Sequence, residues 1–195
     1  MPVEGVPAGP VATAAPRATG FDLERWAEDV ARLARDVERA FEAVHGFAPD
    51  GHRVCRAGPQ EAAGLTARLR AAGAHPSAVA FWSRLAVVEL PDLHNGLWLD
   101  DTDLVPRDEA TRLTGAVEDV VTGLGSDGGG AYYAVSTTTG CVYHLVSVVP
   151  EPDGSLDVGD RCHAVAAPDL WTFLADRRTE LAAAAEFTAA HTKAG

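Results

Sequence analysis

Apolar side chains at Leu23, Trp26, Val30, Leu33, Val37, Ala40 and Val44 recur at alternating spacings of three and four. That period places them on one stripe of a helix, with charged residues on the other face. A long helix is expected over 21–45, closed by Gly46 as a left-handed C-cap. The stripe is narrow and heptad-like, so it suits a helix–helix seam; with only about three heptads, packing on its own domain is the expected outcome.

Residues 47–58 carry turn punctuation: Pro49, Asp50-Gly51 and Gly58-Pro59. A second helix is expected over 60–72, with Leu65 and Leu69 inward. A third starts at Pro76, a residue suited to a first helical turn, and carries Val79, Phe81, Trp82 and Leu85.

From Ala86 the period changes. Val87-Val88-Glu89-Leu90 and Leu97-Trp98-Leu99 read as short strands around the turn residues Pro91-Asp92 and Asn95-Gly96. Asp108-Glu109 suggests a short helix reaching Leu113. Segments near 118–123, 131–136, 141–149 and 157–166 are β-branched or aromatic and are split by Gly- and Asp-rich turns. They are expected to be neighbouring antiparallel strands. A closing helix follows Pro168, with Trp171 and Leu174 expected over the sheet.

Helices first, strands in the middle and a final helix define an α+β class. The expectation is an antiparallel-rich sheet of about four to six strands flanked by helices, including a long N-terminal and a C-terminal helix. Residues 1–19, rich in Pro, Gly and Ala, read as a disordered tail rather than a secretory signal, and 20–190 as one domain.

Composition narrows the function classes. The chain has 28 acidic and 16 basic residues and a net charge of −12. Such a surface repels phosphate backbones and attracts basic partners, so no nucleic-acid partner is expected. No apolar run approaches the ~20 residues of a membrane helix, so no membrane partner is expected either. Three cysteines, Cys55, Cys141 and Cys162, are too few and odd in number for a disulfide framework; they fit a reducing cytoplasm.

Candidate chemistry is sparse. Gly123-Leu124-Gly125-Ser126-Asp127-Gly128 matches G-x-G-x-x-G, but a strand-like segment follows where a dinucleotide fold needs a helix. A tight hairpin is the better reading. Cys141, His144, Cys162 and His163 have ligand chemistry, and a turn at 152–155 would bring His144 near Cys162, short of the four ligands of a closed zinc site. Asp100, Asp101 and Asp103 fail the EF-hand pattern, because its glycine and glutamate positions fall on Pro106 and Arg112. No catalytic set, metal or cofactor is expected. Residues 89–109 hold seven acids and one base, a local charge of −6, half of the chain's total. Charge concentrated on connections marks a partner-facing surface. The candidate partner-binding residues are therefore Asp92, Asp100, Asp101 and Asp103, with His94 and Trp98 as anchors beside them.

The order of segments also resembles a known family. Pro76 and Phe81-Trp82 precede Leu90-Pro91-Asp92-Leu93-His94-Asn95-Gly96. Then come Gly125-Ser126-Asp127-Gly128-Gly129-Gly130, an aromatic strand, Thr139-Gly140 with Val142-Tyr143, and finally Ala167-Pro168-Asp169-Leu170-Trp171-Thr172-Phe173-Leu174. Over about residues 60–180 this looks like the SUKH superfamily. The resemblance implies an α+β fold and a binding role rather than catalysis. Its bacterial members include cytosolic immunity proteins that neutralise toxins, nucleases among them, and its fungal members are cell-wall-synthesis regulators. The expected function is a non-enzymatic, cytoplasmic immunity protein with a toxin partner, basic if a nuclease. Two alternatives stand beside it: a scaffold dimerising through the 21–45 helix, and a small ligand-binding domain or enzyme using a pocket near Asp100–Asp103 or His144.

Overall fold

A computed structural model describes residues 20–192; the tail expected over 1–19 lies outside them. Among the described residues there are four helices and ten strands. The helices are α1 (Leu23–His45), α2 (Pro59–Ala71), α3 (Pro76–Trp82) and α4 (Leu170–Thr192). The strands are β1 (Arg53–Arg56), β2 (Leu85–Leu90), β3 (Leu97–Leu99), β4 (Thr111–Gly115), β5 (Asp119–Ser126), β6 (Ala131–Ser136), β7 (Val142–Val146), β8 (Val149–Pro150), β9 (Leu156–Val158) and β10 (His163–Ala167).

The fold is α+β with a long helix near each end of the described chain, as the periodicities imply. The sheet is larger than the expected four to six strands. β5 is its hub. One of its sides pairs with β6, which continues through β7 to β10; the other pairs with β4 along its first half and with β3 at its end. From β3 the sheet runs on to β2 and β1, and from β4 to β9 and β8. Every pairing is antiparallel except β4 with β9.

Three elements correct the sequence reading. The short helix expected from Asp108 is replaced by β4, whose Leu113 is needed in the core. Segment 157–166 is two strands, because a turn closed by Cys162 N–H donating to the Gly159 carbonyl (2.9 Å) divides β9 from β10. The turn-rich stretch 47–58 contains β1, which pairs along β2.

The sheet is buried on both faces. On one face α1, α3 and α4 lie over it, and Trp26, Val30, Phe81, Trp82, Leu124, Tyr133, Phe173 and Leu174 share one apolar cluster. On the other, Val105, Leu113, Val121, Ala134, Leu145, Leu156 and Val158 form a smaller cluster beneath β4 and β9. This alternation is why Tyr133 and Val135 face the helices while Ala134 faces away. The stripe of α1 is buried within the chain, where Trp26 Nε1 donates to the Leu174 carbonyl (2.8 Å) and Asp29 accepts from Arg178 Nε (2.9 Å). It is thereby used for intramolecular packing rather than a seam between chains. Gly46 is the left-handed cap, φ 79°, its N–H donating to the Glu42 carbonyl (2.8 Å). Leu174 covers the sheet as expected; Trp171 lies beside it, stacked on Phe21 with ring centroids 5.1 Å apart.

The G-x-G-x-x-G stretch is a hairpin between β5 and β6. Its glycines serve close approach. Trp98 pairs with Ser126 in register, and its indole lies against both Gly96 and Gly128. A methyl group at Gly128, φ +65°, would overlap that ring. Gly154, φ +82°, faces open space. Gly128→Ala should therefore cost more than the ~1–2 kcal/mol of a left-handed L-residue, whereas Gly154→Ala should cost only that. Chemical denaturation of the two variants, with slopes compared, checks the difference.

Candidate functional site

The acidic connections leave β2 and β3 and carry the sequence candidates, but the fold divides their tasks. Asp92 is not free to meet a partner. Its carboxylate lies 2.9 Å from His52 Nε2, with only 9% of its side chain and 1% of the histidine's exposed. The His52 backbone N–H donates to Glu38 Oε1 (2.8 Å), so this buried pair fastens the end of α1 to the β2–β3 connection. Trp98 is not an exposed anchor either; it is half-buried between the two glycines. His94 is exposed and holds a left-handed backbone, φ 58°, rare for a residue with a Cβ.

Several acids of the stretch 89–109 are paired: Glu89 with Arg53 (3.1 Å), Asp108 with Arg68 (2.5 Å) and Asp101 with Arg107 (3.9 Å). Asp101 also caps its own turn, accepting from the Arg107 N–H (3.1 Å). Arg107 lies over the Trp82 ring at 4.9 Å and donates to the Ala86 carbonyl (3.1 Å), so it is held in place rather than free to roam over the acids. Asp100, Asp103 and Glu109 have no ion-pair partner among the described residues. Burial, then Glu89 and Asp101 beside it, push the Asp100 carboxyl above its usual range against the opposing pull of Arg107. Asp100, Asp101 and Asp103 thus share one strip, with Asp101 and Asp103 exposed and Asp100 half-buried.

On the other side of the same connection lies a cluster the sequence reading left unassembled. Asp127 closes the β5–β6 turn: Oδ1 accepts from the N–H groups of Gly129 (2.9 Å) and Ala131 (3.0 Å), and Oδ2 lies 3.0 Å from His144 Nε2. Burial acts to raise its pKa, but the bonds from His144, Ala131 and Gly129 outweigh it and hold the carboxyl below the usual range. His144 and Tyr133 are direct cross-strand partners, their rings stacked 5.1 Å apart. Phe173 of α4 packs on Tyr133 at 4.9 Å, and Arg177, one turn later, lies over Phe173 at 5.2 Å. Arg177 Nη2 is 2.7 Å from Glu180, whose other oxygen is 3.4 Å from His94 Nε2. Cys162 packs with the smaller cluster on the opposite face, so the expected meeting of His144 with Cys162 does not form a site. Among the described residues no group of three or more His, Cys, Asp or Glu side chains is placed to hold a metal ion, and no helix is long and apolar enough to cross a membrane.

The signals for this cluster were split. Asp127 was visible as a turn residue and His144 as a lone strand histidine; Arg177 lies on a helix more than 30 residues beyond His144. Only the pairing of β6 with β7 and the packing of α4 bring them together. Comparison with known proteins adds no name to the site: no family model, curated protein or solved structure matches the chain.

Asp127→Ala should destabilise the protein by about 2 kcal/mol at pH 7, since two backbone donors and His144 lose a charged acceptor. Because the folded carboxyl is shifted downward, its contribution is fully present above the unfolded pKa of about 4 and is lost as pH falls through the lower folded value. Urea titrations from pH 7 down to pH 3 should show the gap between variant and parent narrowing below about pH 4.

Proposed function

We propose that this chain is a protein-binding domain that receives a basic partner on the strip Asp100–Asp103, and that it acts as a SUKH-type immunity protein whose partner is a toxin domain. The observation that carries the reading is the crowding at Asp100. A half-buried carboxylate held beside Glu89 and Asp101 costs stability in the free protein. Burial is the larger part of that cost, and an approaching cation offsets the part added by Glu89 and Asp101. Strain of this kind gathers at functional surfaces. The order of motifs supports the toxin as partner class, and a basic nuclease would complement the chain's net charge of −12. Exposed charges act chiefly on encounter rate; affinity needs a buried contact as well, and exposed His94 lies on the adjoining connection.

The test is co-expression with toxin domains encoded beside the gene, followed by association kinetics with the one whose toxicity is relieved. Asp100→Asn combined with Asp103→Asn should slow association about 3–10-fold at low salt and flatten its salt dependence. Asp100→Asn alone should raise the thermal midpoint by about 1–3 °C, because the crowded charge is gone. Unchanged on-rates with a raised midpoint would place the interface elsewhere; failure of every neighbouring toxin to bind would overturn the immunity reading.

A further inference from the structure

The inner side of the β2–β3 connection walls a pocket of about 180 Å³ lined by Leu93, His94, Asn95, Leu97, Asp127, Tyr133 and Arg177. Its size sets the class of occupant. At the ~30 Å³ a water takes in the liquid, it holds roughly six waters' worth of matter, well below the ~300 Å³ at which pockets for drug-sized ligands begin. A larger groove, about 640 Å³, lies between α1 and α4, but it is open and lined by alanines and by arginines already engaged with Asp29 and Asp36.

The small pocket is lined by polar groups with unused hydrogen-bond donors. Tyr133 is only 8% exposed and its ring is fixed between His144 and Phe173, while its hydroxyl is open to solvent and makes no hydrogen bond among the described residues. Arg177 Nε is buried and unpartnered, while Nη2 of the same guanidinium is paired with Glu180 at 2.7 Å. A buried donor without an acceptor costs free energy, and each such group in a well-packed fold calls for an explanation. Burial, followed by Asp127 and Glu180, raises the phenol's pKa despite Arg177, so the hydroxyl keeps its proton and can donate.

The lining carries both signs: Arg177 is a fixed cation, and Asp127 a carboxylate kept ionised by three hydrogen bonds. A bare anion would meet Asp127 and nearby Glu180; a bare cation would meet Arg177. We propose that this pocket binds a small zwitterion, a free α-amino acid, with its carboxylate on the Arg177 guanidinium and the Tyr133 hydroxyl, its ammonium toward Asp127, and a short side chain against Leu93 and Leu97. This proposal does not rest on the acidic strip, although His94 borders both sites.

Calorimetric titration of the full chain with the proteinogenic amino acids, one at a time at millimolar concentration, tests the proposal, with acetate and ethylammonium as carriers of a single charged group. At least one amino acid with a short side chain should bind saturably at one site, and neither single-charge compound should match it. Tyr133→Phe keeps the stacked ring and should weaken binding about 5–10-fold, as loss of one neutral hydrogen bond does. Arg177→Gln should weaken it about 10–100-fold, as loss of a charged hydrogen-bond partner does. Asp127→Asn should reduce affinity for the amino acid with no effect on acetate. Circular dichroism and the thermal midpoint confirm that each variant is folded; should Arg177→Gln unfold, Tyr133→Phe and Asp127→Asn carry the decision. Absence of binding by any amino acid, equal binding of acetate or ethylammonium, or affinity untouched in the folded variants would each overturn the zwitterion site.

Discussion

Where β3 meets β5, only Trp98 and Ser126 stand in register, yet this short contact joins β1, β2 and β3 to the remainder of the sheet. It holds because the two backbones approach more closely than side chains allow. A Cβ at Gly125 would strike the Trp98 carbonyl, and one at Gly128 would strike the indole. The indole thus fills the volume that Gly96 and Gly128 leave empty, and the β3 backbone the space that Gly125 leaves. The same contact fixes the β2–β3 connection against the β5–β6 turn. His94, Asp100 and Asp127 therefore sit on one framework, and both the acidic strip and the small pocket inherit their geometry from it.

Charge in this region is shaped by what the framework buries. Counted along the sequence, 89–109 is a block of uncompensated acid. Folded, it separates into acids that tie elements together, Asp92 to His52, Glu89 to Arg53 and Asp108 to Arg68, and acids left to face solvent. The structural pairs draw their partners from α2, β1 and the segment before it, none of which is adjacent in sequence. This sorting concentrates the unpaired charge on fewer positions than the sequence suggested.

The legible part of the fold was the part written in local period and turn chemistry. The three-and-four spacing from Leu23 to Val44, Pro at the start of α3, Gly46 as a cap and the hairpin at Asp127 all depend on residues within a few positions of one another. What was missed depends on distant partners. β1 exists because β2 offers it an edge, β4 because β5 and β9 lie on either side, and the division of β9 from β10 because each pairs with a different strand. The site divides in the same way. His94, Asp101 and Asp103 were readable as exposed polar loop residues, whereas the partial burial of Asp100 and the burial of Asp92 and Trp98 follow from contacts such as His52 and Gly128, which no local pattern links to them. Tyr133 and Arg177 were unreadable as a pair because only the packing of α4 on β6, through Phe173, brings them together.

The joining of α1 to α4 has a kinetic consequence. Trp26 and Leu174 are 148 residues apart, and their hydrogen bond sits in the middle of the principal core. Contacts of such separation make folding slow, because loop closure must precede the gain from burial. During synthesis the apolar stripe of α1 emerges long before α4 exists to cover it. At ~5–20 residues per second, the interval amounts to roughly seven to thirty seconds in which a ready-made amphipathic helix is without its partner. The nascent chain is then a natural client for a holdase, and its folding is late and cooperative rather than progressive.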